Sequence, residues 1–481
     1  MKNNFAPVNR IPGAVLSLIP NYWERRETDT DEALITLTHV CRGWRELFIS
    51  QPSLWTRLDF SNAGKTHAYV KRSRSLPLEA IIKKAEDETS LVDAFLPAVP
   101  HITRFKSLTI TGTSDLLQSL TEHLTLATPL LEKLVINSTC KTAPVLDDLL
   151  FNRDLSSLRI LSLGGVTTRL PWKNLRNLTT FELRSEPGNK ITVMRLLDFF
   201  ASTPHLRDIT LRKSIPTSSN ASSTRVVPLL HVKNLTIIAD RAHSILLNHL
   251  CIPAGASLIL DFEFICDKSP LPNHLPKTIK NLENVFRITT VNLYFDRGKK
   301  FVQLIGPSGS LCMYGRLDDL GMPSLNLDGR ILQSLDYFPF HITQRLAITK
   351  YEALGPAKIN KSFPYQILLR MMDLRTLTLT RCNNLPFILA LNPVHNSPKV
   401  VPCPNLEELI LYVKTRDAFN MPELMSMAKE RELEGMGLQS VTIVGLGELI
   451  PGKEVFKLRE HVPHVEYRFE EKPPRWNETA N

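Results

Sequence analysis

One spacing recurs along most of this 481-residue chain: an apolar residue, two others, an apolar residue, one other, and a third apolar residue. It reads Leu131/Leu134/Ile136, Leu158/Leu161/Leu163, Leu178/Phe181/Leu183, Leu206/Ile209/Leu211 and Val232/Leu235/Ile237 in the first half. It returns as Leu374/Leu377/Leu379, Leu406/Leu409/Leu411 and Leu438/Val441/Ile443. The middle residues fall at 134, 161, 181, 209 and 235, with steps of 27, 20, 28 and 26, and later at 377, 409 and 441, with steps of 32. The last two apolar positions of each unit alternate as in a short strand with one buried face. Helix-like stretches such as 192–201 and 422–431 lie between units. A unit this short cannot bury its own apolar face, so the units must stack on one another. The expectation is an α/β fold, a curved solenoid with a parallel sheet on its concave side. Its leucines are core residues, and none is a site.

The pattern is leucine-rich-repeat-like and spans about 101–460. Arg381-Cys382-Asn383-Asn384 resembles the Cys/Asn turn that such repeats use after a strand. The region near 285–315 is irregular. Val291–Phe295, Phe301–Ile305 and Leu311–Tyr314 are short strand-like runs separated by Gly/Lys and Gly-Pro-Ser-Gly turns. They predict a meander or hairpin inserted between two blocks of repeats. Residues 461–481 read as a C-terminal tail, and 61–100 as a connecting segment.

Composition narrows the remaining choices. A chain of this length exceeds one compact core. Its 43% hydrophobic and 22% charged content is that of a folded protein. No apolar run approaches the roughly 20 residues that span a bilayer. Lys2 and Arg10 before Ile11–Pro20 outline a short signal peptide, but Pro12 and Pro20 interrupt the run and no small-residue cleavage site follows. The seven cysteines are scattered, odd in number and never spaced C-x-x-C, which suits reduced thiols and gives no metal or disulfide framework. These features place the chain in the cytoplasm or nucleus.

At the N-terminus, Ile11-Pro12 opens a short helix, since proline suits a first turn. Val15, Leu16 and Ile19 share one face before Pro20 and Asn21. Leu34, Leu37, Cys41, Trp44 and Phe48 then step by three, four, three and four, one apolar stripe on a helix, with Thr38, Arg42, Arg45 and Glu46 off it. Asp29 and Asp31 stand where they can cap its start. The order Ile11-Pro12, Val40-Cys41-Arg42-Gly43-Trp44-Arg45 and Leu54-Trp55 resembles the F-box, and Arg72–Leu78 resembles the segment that follows it in F-box proteins of mushroom-forming (basidiomycete) fungi. The first 60 residues carry the motif. Ile11 replaces its usual Leu, and Ala14 its usual acidic residue.

The resemblance implies a substrate receptor of an SCF-type ubiquitin ligase. Its helices would dock on a Skp-type adaptor, which joins them to a cullin scaffold, while the repeats hold a protein substrate. The contact residues it implies are Ile11, Pro12, Val15, Leu16, Ile19, Leu37, Val40, Cys41, Trp44 and Trp55. The alternative is a repeat scaffold that binds a protein or nucleic acid outside any ligase, with the helices merely capping it. Exposure separates the two, because a cap buries Val15 and Trp44 against its own chain and a docking module leaves an apolar strip open.

Chemistry motifs are lacking, and no cofactor is expected. In Asn62-Ala63-Gly64-Lys65-Thr66 the first glycine of a phosphate loop would fall on Asp59. H-E-x-x-H and G-x-S-x-G are missing, and Gly445-Leu446-Gly447 lacks the third glycine of a dinucleotide fingerprint. The chain therefore reads as a non-catalytic receptor. Formal net charge is +10, and residues 171–234 hold ten basic against four acidic side chains. Arg184, Arg212 and Lys213 each follow a strand core and form the one candidate basic cluster. Sparse aromatics there disfavour stacking on single-stranded nucleic acid.

Overall fold

The computed structural model describes residues 11–16, 18, 30–83, 88–140, 144–146, 150–153, 155–168, 175–184, 191–213, 225–238, 243–262, 279–295, 299–316, 338–350, 362–395, 401–413, 420–446 and 455–470. Among the described residues the chain is α/β, with seventeen strands in mostly parallel sheet structure and four more in two short parallel pairs. It divides into two compact units, residues 1–190 with 198–206, and residues 191–197 with 207–481.

In the first unit, strands β1 (Arg57–Leu58), β2 (Leu78–Ile82), β3 (Phe105–Gly112), β4 (Lys133–Ser138), β5 (Ile160–Gly164) and β6 (Thr180–Arg184) pair in parallel, each with the next. Register aligns the repeat: Ala80, Leu108, Leu134, Leu161 and Phe181 form one rung, and Ile82, Ile110, Ile136, Leu163 and Leu183 another. Both rungs are buried. The first apolar residue of each unit does a different job. Leu131, Leu158 and Leu178 donate their N–H groups to carbonyls three residues back, closing the turn that feeds each strand.

This sheet begins at Arg57, so residues 61–100 do not merely connect. They supply the helix Ala63–Arg72, strand β2 and the helix Glu88–Phe95. Asn62 caps the first of these, its Oδ1 accepting the N–H of Lys65 at 2.7 Å. The phosphate-loop look-alike is therefore a helix start.

The second unit contains β7 (Asp208–Arg212), β8 (Asn234–Ile238), β9 (Ser257–Phe262), β10 (Thr290–Phe295), β11 (Lys299–Ile305), β12 (Ser310–Arg316), β13 (Arg345–Thr349), β14 (Thr376–Thr380), β15 (Glu408–Val413), β16 (Ser440–Leu446) and β17 (His464–Glu470). Strands β7, β8 and β9 are parallel neighbours, as are β13 to β17. Between these blocks lies the expected meander. Strand β11 is antiparallel to both β10 and β12, and the three enter the sheet in reverse order, β12 against β9 and β10 against β13. The turn from β11 to β12 needs Gly309, where a Cβ would collide with the Ala254 carbonyl oxygen.

Leu377, Leu409 and Val441 occupy equivalent positions on adjacent parallel strands, all buried, as the 32-residue step requires. Leu409→Ala should therefore cost about 2–5 kcal/mol, the usual range for a core leucine, read as a lower denaturant midpoint at unchanged slope. Four strands leave the sheet through one recurring turn. Gly165, Lys213, Lys350 and Arg381 take positive φ, and their N–H groups donate to carbonyls at the end of the following strand. In the Cys/Asn turn, the Cys382 thiol donates to Ile348 O at 3.2 Å.

A further boundary differs from the sequence reading. Residues 464–470 are not tail but strand β17, paired along its length with β16.

Candidate partner-binding surface

The N-terminal segment builds a small helical module on the first unit. The Pro12 carbonyl accepts the N–H groups of Val15 and Leu16, at 2.8 and 3.1 Å, and so starts the helix Gly13–Leu16. A Cβ at Gly13 would lie 3.6 Å from Leu47, so this turn sits on the helix Arg42–Ile49.

The apolar stripe from Leu34 to Phe48 does not run along one helix. It is divided between helices Thr30–Val40 and Arg42–Ile49, which break at Cys41. Cys41 is extended (φ −157°), and its Sγ accepts the Trp44 N–H at 3.5 Å as a helix cap. Arg45 secures the break, its Nε donating to the Thr38 carbonyl at 3.0 Å. Thr38 is buried instead of lying off the stripe, with its hydroxyl donating to Ile35 O at 2.7 Å. Asp31 falls inside the first turn of its helix and not before it, and Asp29 is outside the described residues.

The ten residues tied to adaptor contact separate by exposure. Ile11, Pro12, Val15 and Val40 are exposed, Val15 by 51% and Val40 by 49%. Leu37, Cys41 and Trp44 are half-buried, with the Trp44 ring edge-on to Phe48 at 5.8 Å. Leu16 and Trp55 are buried and face no partner in this conformation. Trp55 is a core residue: its Nε1 donates to the Phe48 carbonyl at 3.0 Å, the Arg72 guanidinium lies 4.3 Å over its ring, and Tyr69 packs edge-on at 4.9 Å. It ties the module to the helix Ala63–Arg72. Ile19 lies outside the described residues.

Leu18 and Ile35, which the stripe did not single out, are also exposed. Their signal was present in the sequence as apolar residues off the buried face. Together with Ile11, Val15 and Val40 they form a set of aliphatic side chains open to water on this helical module. Val15 is exposed, whereas Trp44 is shared between core and surface.

Elsewhere the described residues offer little chemistry. No group of three or more His, Cys, Asp or Glu residues among them is placed to hold a metal. No helix among them is long and apolar enough to cross a membrane. A depression of about 520 Å³ at the strand starts of the second unit is lined by Lys233, Asn234, Ser257, Ser308 and Ser310, with no carboxylate or imidazole to act as a base. Burial pushes the Cys403 thiol up to about 12, so it stays protonated and inert, against the opposing effect of Arg431. Arg184, Arg212 and Lys213 are all exposed. Arg184 ends β6 in the first unit, while Arg212 ends β7 in the second and Lys213 follows it, so only the latter two are neighbours by construction.

No protein-family model matches the chain, and no characterised protein matches it.

Proposed function

We propose that this chain is the substrate-recognition subunit of an SCF-type cullin ubiquitin ligase, with residues 1–60 as an F-box. In this reading the N-terminal helices dock on a Skp-type adaptor and through it on a cullin. The parallel strands form a leucine-rich-repeat-like curved solenoid whose concave sheet holds a protein substrate in the cytoplasm or nucleus. The chain supplies geometry and binding energy, and no catalytic group. One observation supports this over a mere cap: Ile11, Val15, Leu18, Ile35 and Val40 stay exposed on a module whose core is otherwise closed by Phe48 and Trp55. The resemblance of the Ile11-Pro12, Cys41–Arg45 and Leu54-Trp55 residues to the F-box gives that surface its partner.

The test is co-purification of the full chain with its own organism's Skp-type adaptor. Val15→Asp places a charge on an exposed apolar position and should weaken the complex at least ~10-fold, the effect of about 1.4 kcal/mol. The unfolding midpoint should stay unchanged, because Val15 is not in the core. A folded chain that fails to bind the adaptor, or a complex indifferent to Val15→Asp, would sink the ligase reading in favour of the free-standing scaffold.

A further inference from the structure

The depression at the strand starts of the second unit gathers hydrogen-bond donors. Asn234, Ser257 and Ser310 begin strands β8, β9 and β12 at one level, Asn234 beside Ser257 and Ser257 beside Ser310. The next residue of each strand, Leu235, Leu258 or Leu311, is buried in the core, so these three side chains stand on the opposite face of the sheet. Lys233, Gly255 and the β11–β12 turn line the rest of the depression.

The N–H groups of Gly255, Ser308 and Gly309 meet no acceptor among the described residues. The Ser257 and Ser310 hydroxyls lie 3.1 Å apart and share one hydrogen bond, which leaves one of their two protons to donate outward. Lys233 adds a full positive charge and makes no ion pair among the described residues. No carboxylate lines the depression. Water can serve any one of these donors singly. Several donors around one depression, beside a cation, are matched best by one bound anion.

We propose that this depression captures the C-terminal carboxylate of a partner polypeptide. Charge decides between the possible anions. Lys233 alone among the lining residues is charged, and Asp208 starts the adjacent strand β7, where it accepts the Asn234 amide at 2.6 Å. One lysine balances a monoanion. A phosphate monoester would bring about 1.5–2 negative charges against the same lysine, with Asp208 one strand away. A carboxylate has two oxygens with about four acceptor sites, enough for the Lys233 ammonium, the serine proton and two of the backbone donors. Backbone N–H groups that take a chain terminus are an established mode of peptide recognition.

The apolar walls distinguish a chain terminus from an acidic side chain. Half-buried Ile305 and exposed Pro307 stand among the donors. A terminal residue carries its side chain on the carbon next to the carboxylate, so an apolar last residue can meet these walls while its carboxylate meets the donors. An Asp or Glu side chain has no apolar branch at that carbon. The volume, about 520 Å³, is that of a small-ligand site. The site belongs to the second unit and needs no adaptor, so it stands or falls independently of the ligase reading.

Fluorescence anisotropy of the full chain with labelled hexapeptides ending in Leu, Val or Phe tests it. The free acids should bind. Their C-terminal amides should bind at least ~10-fold more weakly, because the charge and one acceptor oxygen are lost. Peptides whose one carboxylate is an internal Asp, with an amidated terminus, should do no better than the amides. Lys233→Met should weaken the free acids by a similar factor and leave the unfolding midpoint unchanged, since the side chain is exposed. Ser257→Ala removes one hydroxyl and should weaken them less. Added salt should loosen the complex, as for any exposed charge pair. Acids and amides that bind alike, acids that ignore Lys233→Met, or no binding by any free acid would overturn the proposal. Inorganic phosphate bound more tightly than every free acid would do the same, and would assign the depression to phosphate.

Discussion

Arg431→Ala is expected to destabilise the second unit by about 3–5 kcal/mol. Arg431 is fully buried in the helix Met421–Leu433. Its guanidinium donates to the carbonyls of Leu391 and Pro402 at 3.4 and 3.3 Å and of Cys403 at 2.8 Å. Leu391 is the last residue of the helix Leu385–Leu391, so the cation also sits at the negative end of a helix dipole. Burial lowers the Arg431 pKa, but an arginine remains charged at any physiological pH. Truncation leaves three buried acceptors without this donor, each costing about 1–3 kcal/mol in isolation, and water entering the void recovers part of the loss. Arg431→Met separates volume from hydrogen bonding, since it refills the space and supplies no donor. Denaturant unfolding, with a check that two probes coincide, reads both variants. A loss below ~1 kcal/mol in Arg431→Ala would show that the loop at Pro402 and Cys403 is held by other contacts.

Trp55→Ala should cost about 3–5 kcal/mol, because it removes a fully buried indole together with its hydrogen bond to the Phe48 carbonyl. Its effect on any adaptor complex is indirect and should follow the fraction of folded module. Val15→Asp should show the opposite profile, with binding lost and stability kept. Thermal unfolding and adaptor affinity measured on the same preparations separate the two. If Trp55→Ala abolished binding at full stability, the indole would have to leave its pocket on docking, and its place as a core residue would be wrong.

The repeat core was legible because burial in stacked strands demands apolar residues at fixed register, and Leu134, Leu161, Leu377 and Leu409 meet that demand without exception. Other strands carry the same spacing in weaker letters. Phe105/Leu108/Ile110 and Val462/Val465/Tyr467 both fit it, and both precede or form real strands. There aromatic residues and charged neighbours blur a pattern set elsewhere by leucine. The reversed order of β10 to β12 had no sequence signal, since a hairpin spacing says nothing about which outer strand meets which block. At the N-terminus, spacing located the apolar residues but not their fates. Trp55 and Val15 are equally apolar in sequence, and only the packing of Arg72 and Tyr69 assigns one to the core. The break at Cys41 was hidden for a related reason: two short helices in sequence keep nearly the same three-four rhythm as one.

The meander has a consequence for how the second unit is assembled in time. In an uninterrupted array each strand has its neighbour ready as the chain is made, and order can spread from one unit to the next. Here Ser257 must wait for Ser310, and Thr290 for Arg345, before either block gains its next strand. The three antiparallel strands need only local turns to form, and they are the piece that can be ready early. Growth from β9 therefore stalls until that piece is complete, and β13 to β17 can seed a separate nucleus. The reversal is therefore expected to act as a kinetic boundary, which hydrogen exchange would read as separate opening of β7 to β9 and of β13 to β17.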